Sequence, residues 1–172
     1  DICAICETWL PKDLSSGIRD DLCPDGYKII DVPRNNHGGG VGIIYKENTK
    51  LVQSKTIKYD SFELLEAVIT TNNEQVRIAI LYRPPSGKPK LFLEEFDTYI
   101  DSLTTTSGKL LIVGDVNFHL DNPNSDCLRF LDILQSHNLI QHVSEATHKL
   151  GHTLDVVITC NDELELLDLK VD

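Results

Sequence analysis

Asp115 and Asn117 stand two residues apart in the stretch LLIVGDVNFHLDNP, Leu110 to Pro123, where four aliphatic residues give way to a glycine and then to polar groups. If the strand continues, both side chains share a face, because extended chain repeats every two residues. An acid and an amide side by side can hold a hard cation and a phosphate oxygen, or orient a water. Gly114 lets the backbone turn or pass close to a ligand. The plainer alternative is an Asx-turn that ends a strand. His119 and Asp121 continue the polar run and read as loop residues.

Three further stretches carry groups of the same kind. Glu7 follows the apolar run ICAIC and precedes Thr8-Trp9-Leu10. A carboxylate at the C-terminal end of a strand sits at a rim where loops gather and ligands bind, although a solvated loop acid would look the same. Tyr82 and Arg83 leave an apolar run together, stiffened by Pro84-Pro85. Arg suits phosphate geometry and a phenol can donate to a developing oxyanion; an aromatic core residue beside a surface Arg is the alternative. Asp155 opens the apolar run Val156-Val157-Ile158 after Thr147-His148-Lys149-Leu150-Gly151-His152. His148 and His152 are four apart, but no Glu follows His148. Gly151 and Thr153 disfavour a helix, so the pair is not read as a zinc-protease site.

The elements that must position these groups are mostly strands. Ile2–Cys6, Tyr27–Val32, Val41–Tyr45, Leu51–Lys58, Phe62–Thr70, Val76–Tyr82, Lys109–Val113, Leu154–Thr159 and Glu163–Val171 are predicted strands, with a turn at Asn72-Asn73. Lys109–Val113 is apolar throughout and is expected at the centre of a sheet. A polar helix or turn is expected around Leu14–Leu22. Leu91, Phe92, Phe96, Tyr99, Ile100 and Leu103 repeat at helical spacing. Cys127–Ser136 is a second helix, with Ser125 or Asp126 as its cap. Strands outnumbering helices, with a strand–helix–strand segment over 76–113, predict packed mixed sheets with outer helices.

The chain has 172 residues and a net charge of −11, which suits one domain spanning 1–172. The acidity argues against a general basic nucleic-acid binder, but not against a nuclease, since divalent cations can bridge acidic side chains and phosphate. No apolar run approaches the roughly 20 residues of a membrane span, so no membrane partner is expected. The opening DICAICETWL has neither a basic flank nor a small-residue cleavage pattern, and reads as a strand entered without preamble in a fragment of something longer. Five cysteines, with no paired Cys/His set at finger spacing, read as buried thiols. Together with the lack of a glycosylation sequon they point to a reducing, intracellular setting, nuclear or cytoplasmic.

In this order, CAICETWL, RNNHGGGVGIIY, ILYRPPSG, LLIVGDVNFHLD and THKLGHTLDVVIT resemble the endonuclease/exonuclease/phosphatase family. They look most like the endonuclease domains of LINE-type (non-LTR) retrotransposons, which are associated with a reverse transcriptase. The resemblance spans nearly the whole chain and implies an α/β (α+β) fold: two packed mixed β-sheets flanked by helices, a four-layer sandwich. It implies that Glu7 is a Mg²⁺ (or Mn²⁺) ligand, that Asp115 positions or deprotonates the attacking water, and that Asn117 holds the scissile phosphate. Tyr82 would assist phosphate binding or the transition state, Thr147 would contact phosphate, and Asp155 would support the metal. Arg83 is added as a phosphate-binding candidate from its motif position.

The family pattern begins with a strand carrying an Asn and ends with Ser-Asp-His, and neither stretch occurs in this sequence. The expectation is therefore a domain lacking the family's first and last strands. The leading function is Mg²⁺-dependent phosphodiester hydrolysis in DNA, with the chain weakened or inactive through those missing groups. One alternative is a binding or assembly module derived from such a nuclease, self-associating through exposed sheet edges. Another is a phosphatase or phosphodiesterase of the same family.

Overall fold

A computed structural model of the chain describes residues 2–34, 38–54, 57–71, 74–103, 108–160 and 168–171. The elements run β1 (Ile2–Cys6), α1 (Ser16–Asp21), β2 (Tyr27–Val32), β3 (Val41–Lys46), β4 (Lys50–Gln53), β5 (Glu63–Thr71), β6 (Glu74–Tyr82), α2 (Pro89–Leu103), β7 (Lys109–Asp115), α3 (Ser125–Ser136), β8 (Leu139–Gln141) and β9 (Asp155–Cys160). They form a three-stranded sheet, β1-β3-β2, and a six-stranded sheet, β4-β5-β6-β7-β9-β8. The small sheet is antiparallel throughout. The large sheet is mixed, because α2 carries the chain across and returns β7 parallel to β6.

Side-chain alternation divides the large sheet between two cores. On β6, Ile78, Ile80 and Tyr82 face the small sheet together with Leu65 and Ala67 of β5, and meet Val41 and Ile43 of β3 there. Ala79 and Leu81 face the helices, with Leu64, Ile112, Val156 and Ile158 from neighbouring strands. Burial on both faces explains why the end of β6 and the start of β7 read as continuous apolar runs. The helix α2 buries Phe92, Leu93, Phe96, Tyr99 and Ile100 along one stripe. Phe118 and Phe130 complete an aromatic cluster with Phe92 and Phe96 of α2, at centroid separations of 5.2–6.1 Å. Truncating one such ring costs about 3–5 kcal/mol, so this side anchors the large sheet. On the far side, Arg19 of α1 pairs with Asp31 of β2 at 2.5 Å, which places α1 on the outer face of the small sheet. The layers are thus α1, small sheet, large sheet, and α2 with α3, the expected four-layer sandwich.

Some boundaries differ from those expected. The strand expected over 51–58 ends at Gln53, and the cap of α3 is Asn124, whose Oδ1 accepts from Asp126 N at 3.1 Å and Cys127 N at 2.9 Å. The three-residue β8 escapes prediction because it is too short to show alternation. The turn at Asn72-Asn73 and most of the strand expected over 163–171 lie outside the described residues; Asp168–Val171 is described and is not strand. Of the cysteines expected to be buried, Cys127 is, Cys6, Cys23 and Cys160 are half-buried, and Cys3 is exposed at the edge strand β1.

Candidate active site

Four residues line up across the large sheet at one rim. Glu63 is the register partner of Tyr82, Tyr82 of Asp115, and Asp115 of Asp155. Paired residues in a sheet share a face, and this face looks toward the small sheet, as Tyr82 and Leu65 do. The row therefore lies in the seam between the sheets. The small sheet contributes the fifth group. Cys6 ends β1 with its thiol on the Leu81 carbonyl at 3.5 Å, and the next residue, Glu7, accepts a hydrogen bond from the Tyr82 hydroxyl. Burial pushes the Cys6 thiol up to about 12, so it is a packing group and not a nucleophile.

A glycine run holds this junction. Thr8 N donates to Gly40 O at 3.1 Å and Trp9 N to Gly39 O at 2.9 Å, so the loop after Glu7 pairs with Gly38-Gly39-Gly40. Gly39 and Gly40 have φ of +78° and +88°, and a Cβ on Gly39 would stand 2.6 Å from Glu63 Oε1. Only glycine combines that backbone with that approach. Glu63 Oε2 in turn accepts from Gly40 N, and Oε1 faces Arg34 Nε at 3.2 Å. Burial raises the Glu63 carboxyl, opposed by the Gly40 N–H and Arg34 and reinforced by Glu7.

Asp115 and Asn117 are locked together. Asp115 Oδ1 accepts from Asn117 N at 2.8 Å and Oδ2 from Asn117 Nδ2 at 3.0 Å, while the same Nδ2 donates to Arg83 O at 2.8 Å. The strand does not continue past Asp115: Asn117 turns with φ +50°, so this is an Asx-type turn that also presents a carboxylate. Gly114 has φ +144°, and a Cβ there would fall on the Leu81 carbonyl oxygen. Asp115 is pushed up to about 6, chiefly by burial and then by Asp155 and Glu7, against the lowering pull of the Asn117 N–H groups. Tyr82 is raised by burial and by its bond to Glu7, so it stays a neutral donor.

One expected site residue is used otherwise. Arg83, a phosphate-binding candidate by its motif position, is only 3% exposed. It follows Tyr82 by one position and so faces the helix layer. Its guanidinium donates to the carbonyls of Val116 at 3.0 Å, Asn117 at 3.3 Å and Gly87 at 3.3 Å, and lies over the Phe118 ring at 4.4 Å. Arg83 thus braces the turn that carries Asp115. Thr147 does reach the rim: its Oγ1 accepts from Leu154 N at 3.0 Å and Asp155 N at 3.2 Å, fixing the entry into β9 and with it Asp155.

Glu63 was not singled out in the sequence. It opens a strand expected from Phe62, and the register that sets it beside Tyr82 has no local signature. Beside Glu63 and Pro84 lies a groove of about 580 Å³ whose wall includes Lys12, Arg34, Lys58 and Tyr59. Trp9, 68% exposed, stands at the other side of the glycine run, its ring 3.8 Å from where a Gly38 Cβ would be.

A family model described as endonuclease-reverse transcriptase matches residues 76–171, more than half of the chain. A sequence search of curated proteins finds no match. Among solved structures, the chain is similar to the endonuclease domain of TRAS1, a telomere-specific non-LTR retrotransposon, with TM-score 0.64 and 11% identity over 81% of this chain and 69% of that one. It is also similar to the 3′ phosphatase NExo from Neisseria, described bound to a product DNA hairpin, with TM-score 0.65 and 12% identity over 94% and 76%. An AP endonuclease from Archaeoglobus fulgidus aligns with TM-score 0.64 and 15% identity over 92% and 76%. At these identities the structures speak to fold, and the family model speaks to sequence. The family model places the chain in the endonuclease/exonuclease/phosphatase family, under the description endonuclease-reverse transcriptase, and the solved structures agree in fold.

Proposed function

We propose that the chain is a divalent-metal-dependent phosphodiesterase acting on DNA, an endonuclease of the non-LTR retrotransposon type. The observation that carries this reading is the convergence of Glu7, Asp115 and Asp155 with the Tyr82 hydroxyl at one rim. Burial and two neighbouring carboxylates already raise Asp115, an excess of negative charge that fits a divalent cation. Glu7, with Tyr82 fixing Oε1, would hold the ion, supported by Asp155. Bound there, Mg²⁺ would neutralise charge on the phosphate and its leaving oxygen.

The chain's own residues supply position and proton handling. Asn117 uses both hydrogens of Nδ2 on Arg83 O and Asp115 Oδ2, so in this arrangement it aims the Asp115 carboxylate and leaves its own Oδ1 for a cation or water. Asp115, so aimed, orients a water and accepts its proton. Thr147 secures Asp155 through the backbone and keeps its hydroxyl hydrogen to donate to a phosphate oxygen. The groove sets Lys12, Arg34 and Lys58 against Asp60 and Glu63, three basic residues to two acidic ones, so a flanking strand would meet there a lining less acidic than the chain as a whole.

Nicking of supercoiled plasmid in Mg²⁺ tests the reading. Asp115→Asn and Glu7→Gln are each expected to lower the rate by about 10²–10⁴-fold with the thermal midpoint nearly unchanged. Nicking that survives both substitutions, or its absence from folded wild-type chain, overturns the reading. Cleavage of small phosphoesters without nicking would favour the phosphatase alternative. The binding-module alternative draws on β1, an edge strand with Ile2, Cys3 and Ala4 exposed. Concentration-dependent dimers in sedimentation, lost on substituting Ala4 by Pro, would support it.

A further inference from the structure

We propose that the chain carries a second metal site, for one divalent transition ion of the Zn²⁺ type, built from His119, Asp121 and His152. The three side chains come from the loop after β7 and the loop before β9, and offer ligand atoms that all lie within 4.8 Å of one another. His152 Nδ1 is 3.1 Å from Asp121 Oδ2, and the rings of His119 and His152 are 4.0 Å apart between centroids. Tetrahedral Zn²⁺ with bonds of about 2.0–2.1 Å sets neighbouring ligand atoms about 3.3 Å apart. One pair already has that spacing. The third ligand belongs to an exposed side chain, which can close the remaining gap by rotation.

The donor set decides the class of ion. Two neutral imidazoles and one carboxylate suit Zn²⁺ and its transition-metal neighbours; Mg²⁺ favours oxygen ligands and keeps its waters. This separates the site from the all-carboxylate seam at Glu7. The cluster is also prepared from behind. Asp121 Oδ1 accepts from Thr153 N at 3.0 Å, so the carboxylate is held by its far oxygen, as ligating carboxylates commonly are. Leu120 N donates to Thr153 O at 3.0 Å, and His152 O accepts from Thr147 N at 3.0 Å and His148 N at 2.9 Å. The two loops are thus joined before any ion arrives, which lowers the entropy lost on binding. Three protein ligands leave a position open to water. The bound ion ties the loop that leaves β7 after Asp115 and carries Asn117 to the loop that carries Thr147 and enters β9 at Asp155.

Calorimetric Zn²⁺ titration of chelator-treated full chain tests the site, with Co²⁺ absorption as a report on coordination. With the carboxylate seam kept in excess Mg²⁺, one equivalent of Zn²⁺ is expected, with a visible Co²⁺ band of tetrahedral intensity and a higher thermal midpoint in Zn²⁺. His119→Ala and His152→Ala are each expected to weaken binding by about tenfold or more, whereas Glu7→Gln binds Zn²⁺ as the wild type does. His152→Gln, which keeps a side chain of similar reach, serves as the second variant if His152→Ala lowers the midpoint without metal. Absence of saturable one-to-one binding, wild-type affinity in the His variants, or equal loss in Glu7→Gln would each overturn the proposal. The last of these would assign the ion to the carboxylate seam.

Discussion

Tyr82 and Arg83 are sequence neighbours that face opposite layers, and their substitutions are expected to read out on different instruments. Tyr82 sets its hydroxyl on Glu7 while its ring stays in the inter-sheet core. Tyr82→Phe keeps the ring and frees the carboxylate, so the Mg²⁺ concentration for half-maximal nicking should rise about 10–100-fold with little change in thermal midpoint. An unchanged Mg²⁺ requirement would show that the hydroxyl does not position Glu7. Arg83 is engaged with three carbonyls and an aromatic face. Arg83→Met should cost about 1–3 kcal/mol in urea unfolding, from carbonyls left without donors. Its effect on DNA affinity should be small, and a large loss of affinity at full stability would restore the guanidinium to the substrate.

Two elements hold the row in place by means that single substitutions can test. β7 must pass Leu81 with no side chain at Gly114 and with φ +144°. Gly114→Ala is expected to lower stability by about 2–5 kcal/mol, visible as a fall in the urea midpoint. On α2, Glu95 accepts from Ser61 N at 2.9 Å, from the Ser61 hydroxyl and from Asp60 N at 3.1 Å, which fastens the segment entering β5 just before Glu63. Burial would raise the Glu95 carboxyl, but these donors outweigh it and hold the group below its ordinary 4.5. A depressed carboxyl contributes stability that is present above the unfolded value and lost as pH falls through the lower folded value. Urea midpoints taken from about pH 6 down to about pH 3 should therefore show an acid-side decline that is shallower in Glu95→Gln. An identical decline in both would assign the acid sensitivity to other carboxylates.

At the scale of the whole molecule, the −11 charge opposes a duplex, and the groove's Lys12, Arg34 and Lys58, set beside Asp60 and Glu63, offset little of it. In chelator, a duplex should bind the inactive Asp115→Asn variant no more tightly than the weak non-specific range, about 10⁻⁴ M, and Mg²⁺ should tighten it. Tight metal-free binding in a fluorescence titration would mean that the groove alone outweighs the net charge.

Much of this arrangement was legible along the chain because it rests on local rules. Continuous apolar runs bounded by turn residues placed β6 and β7, helical spacing placed α2, and motif order brought Glu7, Tyr82, Asp115, Asn117, Thr147 and Asp155 into view. Strand period two could have turned Arg83 away from the site, since it adjoins Tyr82. Tertiary structure alone decided what meets across the seam. Glu7 and Tyr82 are 75 positions apart, and a bond at that separation is set by how two sheets stack, which leaves no periodic mark in either segment. Register alone set Glu63 beside Tyr82, and the packing of two loops alone gathered His119, Asp121 and His152. The sequence by itself determined which groups could do chemistry and on which strands they ride. The fold decided which of them share a space, because that depends on through-space packing that no single stretch of chain encodes.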